Sequence, residues 1–371
     1  MNKKEVKKAP TLRFKGFTND WEQRKLGEIS NIIAGGDKNI NKIKKYGKYP
    51  VIANSINKNG IVGYYDNEYR VKAPAVTVTG RGEIGHAVAR FQNFTPIVRL
   101  LALSSKLDSI FLANSINKIR FFNESTGVPQ LTKPQLSTYS IIIPSVEEQN
   151  NIGKLILLIE KYIHLQQRKL KLLKVMKKAL SQYMFCQETE FVPILRFNSF
   201  SDKWKYERLK KLIVKEIKGK AKADMKGTKS TYIDTALLNG GSITKVDSPT
   251  DTFHNDIIIL WDGSQAGKIY HGFTGALGST LKSYKPKYSG GFLYQYLKSK
   301  EPIIFLRYRT PNIPHVVKDF TEIFKINVPS VKEQEKISKT LNYLDQRILV
   351  ETKKIGSIKK IKKFLLQNMF I

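Results

Sequence analysis

The stretch that decides the fold is IPSVEEQ at residues 143–149, because it returns as VPSVKEQ at residues 328–334. Each copy has a glutamate three residues after its serine, the S-x-x-E pattern of a capping box at the start of a helix. Apolar residues then recur at alternating steps of four and three, the spacing of a coiled-coil seam. The spacing predicts two long helices whose seam residues are Ile152, Ile156, Ile159, Ile163, Leu170, Leu173, Leu180 and Met184, and Ile337, Leu341, Leu344, Ile348, Ile355, Ile358, Leu365 and Met369.

Polar residues interrupt the two seams at matching places. Gln166 and Glu351 interrupt them first, and Lys177 and Lys362 interrupt them again. If the helices pair antiparallel, Gln166 and Glu351 fall near the middle of both, where buried polar groups fix the register at a cost in stability. The alternative is that each helix packs only on its own globular part. Seams that match position by position favour pairing.

The duplication extends upstream of both helices. Seven residues near the start of the chain return in the same order about 183 residues later. Solenoid repeats have periods of about 20–50 residues, so this period indicates a duplicated domain-sized unit. The predicted division is a globular part at 1–145, a helix at 146–186, a globular part at 187–329 and a helix at 330–371. The matched residues are Pro10, Leu12, Arg13, Phe14, Phe17, Trp21 and Leu26, with Pro193, Leu195, Arg196, Phe197, Phe200, Trp204 and Leu209.

Each globular part mixes strand-like and helix-like segments. Short β-like runs at 49–53, 75–79, 140–143, 257–261 and 324–328 are bounded by turn residues. The segment 292–298 has helical spacing of its apolar residues. This mixture predicts a mixed α/β (α+β) fold in each half. The repeated aromatic residues are expected to be core, because two copies at one spacing argue for a structural role.

The charge of the chain indicates a polyanionic partner. Lys and Arg number 64 against 31 acids, a formal net charge of +33, and such an excess favours nucleic acid or an anionic membrane. A lysine-rich proteome is the alternative, but it does not explain the shortage of acids. The single Cys186 excludes an internal disulfide. The charged start at 1–8 is no secretory signal, and no apolar run approaches the length of a membrane span, so a cytoplasmic protein is predicted.

A glycine-rich segment tests for a dinucleotide site. GRGEIG at 80–85 matches G-x-G-x-x-G, but that site needs a helix to follow, and residues 86–91 alternate like a strand. The corresponding segment DGSQAG at 262–267 keeps the last glycine and loses the first. Both copies therefore predict a tight turn between two strands.

Polar loops differ between the halves while the frame repeats, as expected if each half reads a different DNA sequence and the frame offers pseudo-symmetric surfaces to partners. Arg pairs with guanine, Gln with adenine, and Ser with either base. Ordinary solvated loops remain the alternative for any one of these residues. The candidates for DNA contact are Asn54, Asn57, Lys58, Arg81, His86, Arg90 and Gln130 in the first half, and Lys229, Ser264, Gln265, Lys268, Arg307, Arg309 and His315 in the second.

Catalytic motifs are missing from the sequence. The five histidines have no metal-ligand spacing, and there is no nucleophile elbow and no P-loop. The segment PNIP at 311–314 is not the Asn/Asp-Pro-Pro-aromatic motif of an adenine methyltransferase. The sequence therefore predicts no catalytic residue, no metal site and a role in recognition.

The chain resembles the specificity subunit of type I restriction-modification systems over essentially its whole length. The resemblance is carried by LRF at 12–14 with Trp21, LRF at 195–197 with Trp204, and the proline and Glu-Gln segments that open the two helices. The helix ends QYMF at 182–185 and QNMF at 367–370 complete it. No single motif is decisive, but the ordered, duplicated set is fairly specific.

The resemblance implies two target recognition domains and an antiparallel coiled-coil spacer that sets the gap in a bipartite, asymmetric site on double-stranded DNA. It also implies two methyltransferase subunits carrying S-adenosylmethionine, and restriction subunits that use ATP and Mg²⁺, with no cofactor on this chain. The first alternative is a standalone bipartite DNA-binding regulator. A fused restriction-methylation enzyme and a basic scaffold that reads no sequence are the others.

Overall fold

The structure is a computed structural model that describes residues 9–122, 127–187, 190–311 and 314–371. The charged start at 1–8 and two residues of the PNIP segment, 312 and 313, lie outside the described residues. The chain divides into two compact units: unit 1 comprises residues 1–167 and 354–371, and unit 2 comprises residues 168–353. Each unit therefore contains one globular part and a portion of both long helices.

Unit 1 has nine strands, three short α-helices and one short 3-10 helix (Asn57–Gly60) among its described residues. The four-stranded sheet has the antiparallel order β2-β8-β5-β6, and a three-stranded sheet has the order β4-β3-β7. Strands β1 and β9 form a separate antiparallel ribbon. The elements are β1 Glu22–Lys25, α1 Leu26–Ile29, β2 Ser30–Ala34, β3 Tyr49–Ile52, β4 Ile61–Tyr65, β5 Ala75–Thr79, β6 Ala87–Arg90, β7 Thr95–Pro96, β8 Leu100–Ser105, α2 Ser109–Ile116, α3 Lys133–Thr138 and β9 Ser140–Ile143.

One long helix, α4 (Val146–Tyr183), follows unit 1's ribbon, and a second, α9 (Val331–Asn368), ends the chain. Between them lie the globular elements of unit 2. They are β10 Lys205–Arg208, β11 Ile213–Lys218, β12 Lys226–Ile233, α5 Thr235–Leu238, β13 Lys245–Val246, β14 Ile257–Leu260, β15 Ile269–His271, β16 Ala276–Leu277, β17 Leu281–Pro286, α6 Gly290–Ser299, α7 Glu301–Arg307, α8 Phe320–Ile323 and β18 Lys325–Val328.

Unit 2 repeats the topology of unit 1. Its four-stranded sheet has the order β11-β17-β14-β15, its three-stranded sheet has the order β13-β12-β16, and β10 pairs with β18. In both units the middle strand of the smaller sheet has one antiparallel and one parallel neighbour. The mixed α/β fold and its duplication are thus confirmed, and so are the predicted strands and the helix at 292–298.

One face of each four-stranded sheet forms the core against a helix. In unit 1, Val76 and Val78 pack with Leu112 of α2, and in unit 2, Ile257 and Ile259 pack with α6. The alternation of apolar residues along β5 places its valines on this face and its threonines on the other. The repeated tryptophans Trp21 and Trp204 are buried, as predicted, and the repeated phenylalanines are half-buried beside them.

The repeated arginine and glutamate form a clasp at the start of each long helix. Arg13 donates to both carboxylate oxygens of Glu148, at 2.6 and 2.8 Å, and to the carbonyl of Asn19. Arg196 makes the equivalent bonds to Glu333, at 2.8 and 2.9 Å. The Glu148 backbone N–H donates to the Ser145 hydroxyl, so the serine caps as predicted. The carboxylates bind arginine instead of closing the predicted capping box on the backbone.

The long helices pair antiparallel within each unit. In unit 1, Ile152 and Ile156 of α4 pack in one cluster with Leu365 and Met369 of α9. In unit 2 the opposite ends meet, and one cluster contains Leu180 and Met184 of α4 with Ile337 and Leu341 of α9. The predicted seam residues are buried or half-buried in both helices. Pairing along an apolar seam is therefore confirmed.

Polar residues of the seam form ion pairs between the helices. Lys362 donates to Glu160 at 2.6 Å in unit 1, and the matching Lys177 donates to Asp345 in unit 2. The buried carboxylate of Glu351 binds Lys169. The Oε1 atom of Gln166 is buried and has no hydrogen-bond partner among the described residues.

A further backbone contact is repeated. The Leu12 N–H donates to the carbonyl of Asn368, and the Leu195 N–H donates to the carbonyl of Tyr183. The end of a long helix thus contacts the first segment of the globular part in each unit. None of the described helices is long and apolar enough to cross a membrane.

Candidate DNA interface

A tight hairpin turn joins β5 to β6 in unit 1. Gly82 and Gly85 have positive φ angles of 74° and 84°, a region that glycine adopts without steric cost. The Gly85 N–H donates to the Thr79 carbonyl and closes the turn. A Cβ atom on Gly85 would lie 2.1 Å from the Phe121 ring. The prediction of a turn between strands is confirmed, and the segment that follows is a strand rather than a phosphate-binding helix.

An equivalent turn, one residue longer, joins β14 to β15 in unit 2. Gly263 and Gly267 have φ angles of 107° and 96°, and the Gly267 N–H donates to the Leu260 carbonyl. The second glycine of the motif, Gly82, is therefore repeated as Gly263, while Gly80 corresponds to Trp261. The glycines with positive φ angles are therefore present in both units, whereas the residues between them differ.

A proline segment lies beside each turn. The Gly82 N–H donates to the Pro129 carbonyl, and the Gly263 N–H donates to the Pro314 carbonyl. These contacts place Gln130 opposite Arg81 in unit 1, and His315 opposite Asp262 in unit 2. Two segments that are far apart in sequence thus form one polar cluster in each unit.

In unit 1 a third segment, the loop at 54–60, completes the cluster. The Asn54 side chain accepts from the backbone N–H groups of Gly80 and Arg81 and donates to the Arg81 carbonyl, so it holds the turn in place. Asn57 and Lys58 are exposed on the same loop. All seven candidates of the first half therefore lie on connected segments, with Asn54 engaged by the backbone.

The loop also covers a small cavity on the outer face of β5 and β6. The cavity has a volume of about 20 Å³, and the Arg90 Nε atom donates to the Thr77 hydroxyl at its wall. Burial lowers the pKa of Arg90 to about 10, so the guanidinium remains charged at neutral pH. The lining residues are Ser55, Ile56, Asn59, Thr77, Thr79, His86, Val88, Arg90 and Leu100.

In unit 2 the cluster is built from the turn and from the described residues on either side of 312 and 313, namely 309–311 and 314–316. Arg309 donates to the Ser264 carbonyl at 3.1 Å and stacks over Phe305. Lys268 donates to Gln265 at 2.7 Å, which orients the exposed glutamine amide. The Nδ1 atom of His315 lies 3.0 Å from the Thr310 hydroxyl.

Two candidates of the second half lie on other elements. Lys229 is exposed on β12, in the three-stranded sheet, and Arg307 ends α7 and lines a different cavity with Tyr206 and Lys325. The structure therefore brings five of the seven second-half candidates together. Lys229 and Arg307 were predicted to contact DNA because their segments are locally basic. Local composition carries no information on where a segment lies in the fold.

Sequence reasoning missed Thr77 and Thr79, which line the cavity of unit 1, and it recognised Ser55 and Asn59 only as members of a polar loop. A signal was present: β5 reads AVTVT where β14 reads IIIL. Thr77 and Thr79 are buried polar residues at positions where unit 2 has Ile258 and Leu260 in an apolar cluster. Buried threonines on the outer face of one copy alone indicate a polar site there.

The two clusters contain hydrogen-bond donors and acceptors but no group suited to hold a metal. Among the described residues, no three His, Cys, Asp or Glu side chains lie close enough to bind an ion. The arrangement can contact phosphates and base edges.

A family model for the type I restriction modification DNA specificity domain matches residues 18–175 and again residues 201–360. The two matches together span most of the chain and reproduce its duplication. The chain belongs to this family of DNA specificity domains. The matched ranges contain both hairpin clusters and most of both long helices.

Individual members of the family agree with this assignment. The chain is 34% identical over 168 residues to the type I restriction enzyme MjaVIII specificity subunit of Methanocaldococcus jannaschii, an alignment that covers 42% of this chain and 40% of that protein. The alignment therefore spans less than half of this relative's length.

Solved structures show that the fold of S subunits extends over almost the whole chain. The S subunit of the type I restriction-modification system from M. genitalium superposes with a TM-score of 0.74 at 17% identity, covering 98% of this chain and 99% of that one. A chain from a study of complex assembly in the type I R-M system gives a TM-score of 0.52 at 14% identity and covers 94% and 97%.

Proposed function

We propose that this chain is the DNA-recognition subunit of a type I restriction-modification complex and that it reads a bipartite, asymmetric site. The observation that carries the proposal is the repeated hairpin cluster. The same backbone hydrogen bonds, between a glycine of the turn and a proline segment, occur in both units. The side chains presented there differ, with Arg81 and Gln130 in one unit and Gln265 and His315 in the other. A shared frame with different polar side chains suits two different base sequences.

The paired helices support a fixed gap between the two sequence blocks. The matched ion pairs of Lys362 and Lys177 fix the register of the seam in each unit. A slip by one heptad would separate these charges from their acids. A helix pair of defined register is suited to act as a spacer.

A second apolar stripe supports docking of methyltransferase subunits on the helices. Leu158 and Leu165 of α4 are each 63% exposed, and the matching Tyr343 and Val350 of α9 are each 58% exposed. Exposed apolar side chains at heptad spacing are typical of a surface that binds further helices. The stripe occurs at equivalent positions on both helices, so it suits two copies of one partner.

The chemistry of the complex is assigned to the partners. Methyltransferase subunits would carry S-adenosylmethionine, and restriction subunits would bind ATP and Mg²⁺, while this chain carries no catalytic residue. A cytoplasmic location, where chromosomal DNA lies, remains a prediction. A standalone regulator is not favoured, because the family and the exposed stripe both point to a complex.

The experiment that tests the proposal is co-expression with the methyltransferase subunit of the same system in a host without adenine methylation. Single-molecule sequencing of the host DNA is expected to find methylated adenines in one split, asymmetric motif. Gln265→Ala is expected to alter one block of the motif only. Arg24→Gln, on the exposed ribbon strand β1, is the control and should leave both blocks unchanged.

A further inference from the structure

The inference concerns Arg90, whose guanidinium has an unusual environment for a half-buried charge. Its Nε atom donates to Thr77 at 2.9 Å. No acid among the described residues pairs with it, and its four terminal N–H groups have no protein partner there. By contrast, the half-buried Arg13 and Arg196 each bind a buried glutamate through two hydrogen bonds. Burying a charge without a partner destabilises a fold, so residues of this kind are typical of functional sites.

The scaffold does not require this arginine. The register of the two hairpins pairs Val76 with Ala89 in unit 1, and Ile257 with His271 in unit 2. The next residue, Arg90, therefore corresponds to Gly272. Unit 2 builds the same hairpin with Ile258 and Leu260 on its outer face and with no cation at this position. Arg90 thus serves something particular to unit 1.

The cavity beside Arg90 limits what can bind there. Its volume of about 20 Å³ holds a single water-sized atom, since one water needs roughly 10–15 Å³ of such space. A flipped base cannot enter, whereas an oxygen atom that projects from the surface of DNA can. Asn59 and Ser55 line the same cavity and add polar groups around that position.

We infer that Arg90 is a DNA contact particular to unit 1 and that its terminal N–H fork binds a pair of acceptor atoms on DNA, with Asn59 beside it. This inference rests on the proposed function. The guanine edge, with O6 and N7, and a backbone phosphate both match a planar fork of two donors. Both groups offer a pair of hydrogen-bond acceptors on DNA. The experiment below distinguishes a guanine contact from a phosphate contact.

The test compares Arg90→Gln and Arg90→Lys with Arg24→Gln in the complete complex with its methyltransferase subunit. Arg90→Gln is expected to lower affinity for the wild-type motif by roughly 10-fold or more, the effect of losing one bidentate contact. The block read by unit 2 should remain intact and reports that the variant folds. Arg90→Lys keeps the charge and loses the fork, so it should recover little of a base contact.

Modified duplexes then identify the source of the acceptor. For a base contact, 7-deazaguanine at one position weakens wild-type binding and leaves Arg90→Gln unaffected, and the variant motif becomes degenerate at that position. For a phosphate contact, one neutral methylphosphonate weakens wild-type binding and leaves binding by Arg90→Gln unaffected. The slope of log affinity against log salt is then smaller for Arg90→Gln than for the wild type, by the amount expected for one phosphate contact.

Stability supplies a readout that separates recognition from a structural role. Removing an unpaired half-buried charge should leave the melting temperature of Arg90→Gln equal to or above that of the wild type. If the Arg90→Gln complex has the same motif and the same DNA affinity as the Arg24→Gln control, the inference is overturned while the proposed function stands. A wild-type complex that selects no sequence overturns both.

Discussion

The arginine clasp at the start of α4 gives a stability prediction of defined size. Glu148 is fully buried and accepts two short hydrogen bonds from Arg13, whose side chain is 14% exposed. In Glu148→Gln the charge disappears and an amide group faces the guanidinium. The half-buried arginine then loses its main counter-charge.

Breaking a buried ion pair by removing one partner costs about 3–5 kcal/mol, and we expect about 3 kcal/mol because the glutamine can still accept one bond. For a domain of 150–250 residues this lowers the melting temperature by roughly 6–12 °C. The amount is a large fraction of the 5–15 kcal/mol that a typical domain has.

The assay is urea and thermal unfolding followed by circular dichroism, with Glu147→Gln as the matched control. Glu147 lies in the same first turn of α4 but is exposed, so both variants lose the same interaction with the helix dipole. The difference between them isolates the clasp. Glu333→Gln, which breaks the Arg196 clasp, should show a loss of similar size in unit 2.

A double variant tests whether the lost stability comes from the unpaired charge or from the lost contact between the two side chains. Arg13→Met with Glu148→Leu removes both charges, and most of the lost stability should return. If Glu148→Gln unfolds within about 0.5 kcal/mol of Glu147→Gln, the range of ordinary surface substitutions, the clasp contributes nothing measurable and the reasoning is refuted.

Three further predictions follow from the helices, the cysteine and the charge. Seven residues inserted at matched places in both α4 and α9 should lengthen the gap of the DNA motif by about three base pairs, since one heptad adds roughly 10 Å; an unchanged gap in the sequenced motif would contradict a spacer. Burial raises the pKa of Cys186 to about 12, so a thiol reagent at pH 8 should label it only after unfolding, and rapid labelling of the native chain would speak against that burial. Affinity for DNA should fall steeply between about 50 and 200 mM salt in a binding titration, because a chain of net charge +33 displaces several counterions; a flat salt response would argue against phosphate contacts.

Much of the fold could be predicted from the sequence because the signals were local and were present twice. The heptad spacing located every seam residue that the structure buries, and the turn between strands followed from the pattern after Gly85. The dinucleotide-binding motif at 80–85 was correctly rejected because the corresponding segment at 262–267 lacks the full glycine spacing. A duplicated sequence supplies its own test of which residues belong to the frame.

The rest depended on contacts between distant segments. Nothing near Glu148 in sequence indicates that Arg13 takes its carboxylate, and nothing near Asn54 indicates that its amide is bonded to the turn at Gly80. The acids that pair with the seam lysines were also not assigned. Side-chain partners of this kind follow from the fold and cannot be obtained from periodicity.

The copies also differ in charge at three exposed positions in and beside the ribbon strand that opens each unit. Asp20, Glu22 and Glu28 in unit 1 correspond to Lys203, Lys205 and Lys211 in unit 2, and all six are exposed. The frame is therefore repeated in its backbone and core but carries opposite charges at these three positions. The expected pseudo-symmetry for partners does not extend to these three exposed charges.

The most direct measurement is the methylation motif produced when the chain is co-expressed with its methyltransferase subunit. The account predicts one split motif with two unrelated blocks and a fixed gap, of which Gln265→Ala changes only one block. A continuous palindromic motif, or a change in both blocks with Gln265→Ala, would contradict the claim that each unit reads its own sequence.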